Sequence, residues 1–198
     1  MRLTRSFFAR DTLSVARDLL GTRLVRVLAG ERLSGRIVET EAYVGESDDA
    51  SHASPGPTER NASMYGPPGH AYVYLIYGMY HCFNIVTERG GLPAAVLVRA
   101  LEPLEGLDVM SRQRGPVAAN DVTKLTSGPG RLCQALVIDR SHDGVDLCAR
   151  EASLFLEEDE AVPCGAVIRG PRVNVRGDET AVSVPWRFYI RGNPHVSC

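Results

Sequence analysis

Lysine is nearly missing from this chain of 198 residues: Lys124 stands alone, and every other Lys/Arg position is an arginine. Arginine's planar fork suits phosphate and carboxylate better than an ammonium does, although genomic base composition is a bland explanation of the same bias. No apolar run approaches the ~20 residues that span a bilayer. The opening MRLTRSFFARDTL has no apolar stretch of signal-peptide length. Five cysteines (Cys82, Cys133, Cys148, Cys164 and Cys198) form an odd set without a CxxC pair. That excludes zinc-ligand spacing and a disulfide framework. A glycine-rich phosphate loop, a Cys/His metal set and a Gly-x-Ser-x-Gly elbow are also absent. No repeat, linker or low-complexity tract divides the chain. The absences predict one domain over residues 1–198, with no metal, no cofactor, no membrane contact and a cytoplasmic location.

Hydrophobic residues at 44% and charged residues at 23% are ordinary globular values. A net charge of −2 counts against nucleic acid when read as a sum. The layout is less even: Arg2, Arg5, Arg10, Arg17, Arg23 and Arg26 crowd the start, and acids dominate residues 31–60 and Glu157–Glu160.

Residues 11–21 read as a helix, with Asp11 as N-cap and Gly21 just past its end. Leu24–Leu28 and Leu33–Tyr43 read as strands joined at Ala29-Gly30-Glu31. Residues 44–70 read as loop. The aromatic and β-branched run Ala71–Val86 predicts a β-hairpin turning near Ile76-Tyr77-Gly78-Met79. Ala94–Ala100 is a further strand and Leu104–Arg112 a helix. Ser127-Gly128-Pro129 opens another helix holding Arg131–Val137. Short strands follow at Ala152–Leu156, Ala166–Ile168, Arg172–Val175 and Arg187–Ile190. The fold class is α+β, a single compact domain with a curved, mostly antiparallel sheet, flanking helices and a protruding β-hairpin.

Strand alternation places Ile37, Glu39, Glu41 and Tyr43 on one face. Two carboxylates about 7 Å apart repel each other, which raises a pKa unless a cation or water intervenes. The pair is either a salt-bridged, solvated face or a hydrolase site in which one ionised Glu activates water. Arg99 follows four apolar residues, and a buried arginine needs a carboxylate such as Glu41 or Glu39. Tyr65, Tyr72, Tyr74, Tyr77 and Tyr80 cluster within sixteen residues. A core hairpin with satisfied hydroxyls explains most of them but not Tyr77 at the tip, a candidate wedge into base steps. Inward tyrosines can stack on a base. Asn84 is polar within an apolar strand, on the face of Tyr80 and Cys82, and His52 lies in the acidic loop.

RIVETEAYVG, then His52, then YVYLIYGMYHCFNIV, VLVRALEPLEG, SGPGRLCQAL and WRFYIRGNPHVS resemble, in that order, the alkyladenine (3-methyladenine) DNA glycosylase family from about Phe7 to Ser197. The resemblance implies a base-excision repair enzyme that flips alkylated or deaminated purines out of damaged double-stranded DNA. Such an enzyme hydrolyses the N-glycosidic bond and leaves an abasic site. Glu41 is then the general base and Arg99 helps hold the water. The backbone carbonyl of Val173 also touches that water. Tyr43 and Tyr74 stack on the base, His52 hydrogen-bonds it, the backbone of Ala50 faces its edge, and Asn84 crowds the amino group of guanine. Tyr77 fills the vacated stack. The resemblance further implies a monomer acting at the nucleoid, without a partner-binding tail. His81, Asn174 and His195 depart from residues common in the family, which bears on the lesions accepted. Glu39 is structural on this reading.

Two other readings use the same residues. A non-catalytic minor-groove binding module would need the tyrosine hairpin but not Glu41 and Arg99. A carbohydrate hydrolase would use Glu39 and Glu41, yet side chains two apart on a strand point in parallel and do not flank a bond. The glycosylase reading also predicts that the arginines gather on the face bearing Tyr77, with acids 157–160 away from it.

Overall fold

The computed structural model describes residues 1–115 and 121–197, so Cys198 lies outside the described residues. Eight strands form one antiparallel sheet: β1 Arg23–Leu28, β2 Glu31–Val44, β3 Ala71–Ile76, β4 Tyr80–Val86, β5 Ala94–Glu105, β6 Leu154–Glu157, β7 Val167–Gly170 and β8 Arg187–Ile190. Their order is β3-β4-β5-β2-β1-β6, and β8 joins both β2 and β7. The expected α+β class is therefore the observed one.

Local chemistry accounts for the element ends. The helix α1 (Arg5–Phe8) is a single turn. Helix α2 spans Thr12–Asp18, and the Asp11 side chain accepts the Ser14 amide at its N-terminus. Gly21 is left-handed (φ +85°), and a Cβ there would meet the Glu160 carbonyl at 2.2 Å. The β1–β2 and β3–β4 hairpins both turn through two residues of positive φ, Ala29-Gly30 and Tyr77-Gly78, the geometry that suits the twist of paired strands.

Three expectations are corrected. The chain remains a strand through Glu105, so the helix expected at Leu104–Arg112 is displaced to Leu107–Arg114 (α3). Gly106 takes the left-handed turn between them because a Cβ would strike Leu33 and the Arg32 carbonyl. Residues 172–175 form no strand; Asn174 is left-handed (φ +55°), which breaks an extended run. Ile37 does not share a face with Glu39, Glu41 and Tyr43. The β2–β5 register is irregular between Ile37 and Thr40. Ile37 and Ala42 therefore enter the main core, and the Thr40 hydroxyl donates to the Ala16 carbonyl. Smaller differences are one of length: β5 outruns Ala94–Ala100, and α2 is shorter than residues 11–21. Two further turn-helices are α4 (Thr123–Thr126) and α6 (Glu179–Ser183); α5 (Pro129–Ala135) opens at Pro129 as expected but ends before Val137, which is left-handed (φ +53°).

The core packs α2, α3 and α5 against one face of the sheet through Val15, Leu19, Met110 and Leu132, which meet Val96, Val98, Phe83 and Ile85. A smaller cluster of Ala53, Met64, Tyr72, Val86 and Ala95 lies under the loop 44–70. That loop contains only a short 3-10 turn at Ala62–Tyr65. Asn61, buried, ties it down by donating to the carbonyls of His52 at 2.7 Å and Gly56 at 2.9 Å. Among the described residues, no helix is long and apolar enough to cross a membrane.

Candidate active site

A cavity of about 730 Å³ opens beside the β3–β4 hairpin. Tyr43, Ala50, His52, Tyr74, Asn84, Arg99 and Val173 line it, with Tyr77 at its rim. The sequence-derived residues thus converge, although they come from four strands and two loops.

Glu41 lies behind the lining with no exposed surface. Its Oε1 accepts from the Val173 amide at 2.7 Å and faces Arg99 Nη1 at 3.2 Å. Its Oε2 accepts the Tyr43 hydroxyl at 2.9 Å. An ionised carboxylate offers about four lone-pair sites. Two hydrogen bonds and the Arg99 ion pair surround it here, leaving room for a further proton donor such as water. Glu39 is equally buried and also pairs with Arg99, through Nε at 3.0 Å. Burial opposes the Arg99 charge, but the Glu41 and Glu39 charges outweigh it and hold the pKa above the ordinary value. Tyr43 is pushed well above its usual value by burial and the Glu41 charge, so it remains a donor.

The aromatic wall is locked from behind. His52 and Tyr74 pack edge to face with centroids 4.4 Å apart, and Tyr72 and Tyr74 lie 5.4 Å apart. His52 Nδ1 hydrogen-bonds the Tyr72 hydroxyl at 2.8 Å. The Asn84 amide nitrogen donates across the hairpin to the Tyr72 carbonyl at 3.0 Å. The Ala50 amide donates to Asp48 Oδ1 at 3.2 Å, so its carbonyl is the free backbone group there. Val173 meets Glu41 through its amide. Tyr77 is 79% exposed, and Met79 and Leu75 beside it are also exposed.

Several functional neighbours escaped sequence reasoning. Arg172 is buried, with its fork on both oxygens of Asp48 (2.5 and 2.7 Å) and its charge 4.7 Å from the Tyr43 ring centroid. The signal was an acid in the acidic loop awaiting a cation, but 124 residues separate the two. Cys82 also lines the cavity, and burial pushes its thiol up to about 11. Arg114, Arg131 and Arg176 line the mouth with no carboxylate partner among the described residues. Burial and then the Arg131 charge lower the Arg114 pKa, the mark of a cation pair lacking an anion. By contrast, none of the six arginines of residues 1–30 lines the cavity; Arg5, Arg10, Arg17 and Arg23 pair with acids elsewhere. The expected gathering on the Tyr77 face thus holds for three arginines from later in the chain. Among the described residues, no group of three His, Cys, Asp or Glu could hold a metal ion.

The site is thus an aromatic slot above a buried acid–arginine set, with an exposed tyrosine on a hairpin at its lip. The sequence model of the methylpurine-DNA glycosylase family (MPG) matches residues 6–194, and the chain belongs to that family of DNA glycosylases. Relatives named "Putative 3-methyladenine DNA glycosylase" include one from Alkaliphilus oremlandii, 49% identical over 100% of this chain and 99% of its own. Another, from Methanocella arvoryzae, is 51% identical over 98% and 95%. A third, from Bacillus mycoides, is 47% identical over 100% of both.

Proposed function

We propose that this DNA glycosylase flips an alkylated purine, 3-methyladenine first, out of damaged double-stranded DNA and hydrolyses its N-glycosidic bond with water activated by Glu41. Hypoxanthine and ethenoadenine are further candidate bases. The observation that carries the reading is the Glu41 carboxylate, held by Arg99, Val173 and Tyr43 directly behind the aromatic cavity.

A stacked nucleotide hides its glycosidic bond, so the base must leave the duplex. Tyr77 fills the gap, acting as a single copy and without a partner subunit. Tyr43, Tyr74 and His52 receive the base. N-alkylated purine carries positive charge, which electron-rich rings favour and which makes the base a good leaving group. One ionised carboxylate and one water then suffice: Glu41 takes a proton as the water oxygen attacks the anomeric carbon. Arg99 lies 3.2 Å from Glu41 as its counter-ion. An amine nucleophile plays no part, because Lys124 pairs with Asp121 at 3.0 Å and does not line the cavity. The sugar-hydrolase reading fares worse, since Glu39 and Glu41 both meet the Arg99 guanidinium and do not flank a gap that a glycosidic bond could enter.

The test is incubation with methylated duplex DNA followed by assay of free bases. Wild-type protein releases 3-methyladenine. Glu41→Gln lowers the rate by at least ~100-fold and still binds an abasic-site duplex. No released base from the wild type, or normal turnover in the variant, ends the proposal.

A further inference from the structure

Glu39 is buried beside the site, and the proposed reaction assigns it nothing. Its carboxylate nevertheless takes three donors. Oε1 accepts from Arg99 Nε at 3.0 Å and Arg187 Nε at 2.6 Å, and Oε2 accepts from the Ser197 amide at 2.7 Å. Ser197 is committed just as fully. Its hydroxyl accepts from Arg99 Nη2 at 3.0 Å, and its carbonyl accepts from Arg187 Nη2 at 3.1 Å.

Arg99 is therefore gripped at two of its three nitrogens, and the third, Nη1, lies 3.2 Å from Glu41 Oε1 as an ion pair. A guanidinium is a rigid plane, so two fixed contacts set the direction of the third. The sheet does not set it. Glu39 pairs with Ala100 and Thr40 with Val98, which leaves Arg99 at an irregularity of the ladder. Its aim rests on side-chain contacts alone.

We propose that Glu39 and Ser197 are positioning residues for hydrolysis: together they hold the Arg99 plane so that Nη1 meets Glu41, and the segment bearing Ser197 belongs to the active site. The inference rests on the reading that Glu41 activates water. The charges support it. Glu39 and Glu41 balance Arg99 and Arg187, so neutralising Glu39 leaves an excess of positive charge around Glu41. The groups facing Glu41 are Glu39 and Tyr43 on its own strand, Arg99 on β5, Cys82 on β4, Arg187 on β8 and Arg172 before Val173.

Single-turnover base release from methylated duplex, measured with saturating enzyme beside abasic-duplex affinity, tests this. In Glu39→Gln the amide nitrogen must face either the Ser197 amide or the two arginine donors. The rate at neutral pH falls about 30-fold, in line with the cost of misplacing a reacting group. Ser197→Ala removes one contact to Arg99 and lowers the rate about fivefold, near the ~1 kcal/mol net worth of a hydrogen bond. Both variants bind abasic duplex within about twofold of wild type. A wild-type rate in both variants overturns the proposal. So does a rate loss matched by lost abasic-duplex affinity and melting temperature. If Glu39→Gln does not fold, a wild-type rate in Ser197→Ala overturns it alone. Glu41→Gln separates the two ideas: normal turnover there ends the Glu41 reading. An inactive Glu41→Gln beside fully active Glu39 and Ser197 variants ends only this inference.

Discussion

His52 is half-buried against Tyr72 and Tyr74, where a charged ring would lose its hydration. Burial, and then the nearby Arg60 charge, lower its pKa from the ordinary value. The ring therefore enters the working pH range neutral, with one nitrogen donating and the other accepting. With the folded pKa below the unfolded one, the unfolded chain binds the proton first. Stability linked to His52 is thus present above about pH 6.5 and drains away as pH falls below it. The urea midpoint of wild type should fall between pH 7.5 and 5.5 by more than that of His52→Gln. Equal falls in both proteins would remove the buried-neutral account of His52.

The same reasoning at the scale of a turn separates fold from function at Tyr77. Tyr77 and Gly78 both have positive φ, and a left-handed conformation costs a bulky residue roughly 1 kcal/mol. Asn-Gly is the sequence such a two-residue turn prefers. Tyr77→Asn should accordingly raise stability by about 0.5–1 kcal/mol in urea unfolding, while weakening abasic-duplex binding at least tenfold by loss of the ring. A loss of stability in that variant would show that the ring serves the fold.

Arg172 gives the opposite case. Its side chain is 0% exposed and joins Asp48, the Ala42 carbonyl and the Ala181 carbonyl, so it fastens three segments around the Val173 amide. Arg172→Met strands the Asp48 carboxylate in the interior and should cost about 3–5 kcal/mol, read as a shift in the urea midpoint. A shift below about 1 kcal/mol would mean that the Arg172–Asp48 pair does not fasten these segments.

These elements also mark what the sequence could carry. The β3–β4 hairpin and its tip were legible because β-branched and aromatic residues run up to a glycine at the turn. The Glu41–Arg99 pair was legible because a buried arginine in an apolar strand needs an acid. Ile37 was misplaced because alternation assumes a regular ladder, and the irregularity between Ile37 and Thr40 has no local sequence sign. Arg187, Ser197 and Arg172 were missed because their partners lie 124 to 158 residues away, and no short-range pattern reports such distances.

At the scale of the whole molecule, the charge of −2 ceases to oppose DNA once it is placed. Glu157, Asp159 and Glu160 pair with Arg32, Arg23 and Arg36 around β6. The hairpin begins the sheet order and β6 ends it. Five strand spacings of about 4.8 Å separate them by roughly 24 Å, beyond a screening length of about 8 Å in physiological salt. The acids thus neutralise arginines on the far edge and leave the cavity mouth to Arg114, Arg131 and Arg176. If each of those meets one phosphate, the slope of log K against log salt should be near −3, about −0.9 per contact. Alanine at any one of the three should make the slope shallower by about 1. Arg23→Ala at the far edge should leave it unchanged. A wild-type slope steeper than about −6 would require cations beyond this mouth, and a flat one would leave stacking at the hairpin as the sole grip on DNA.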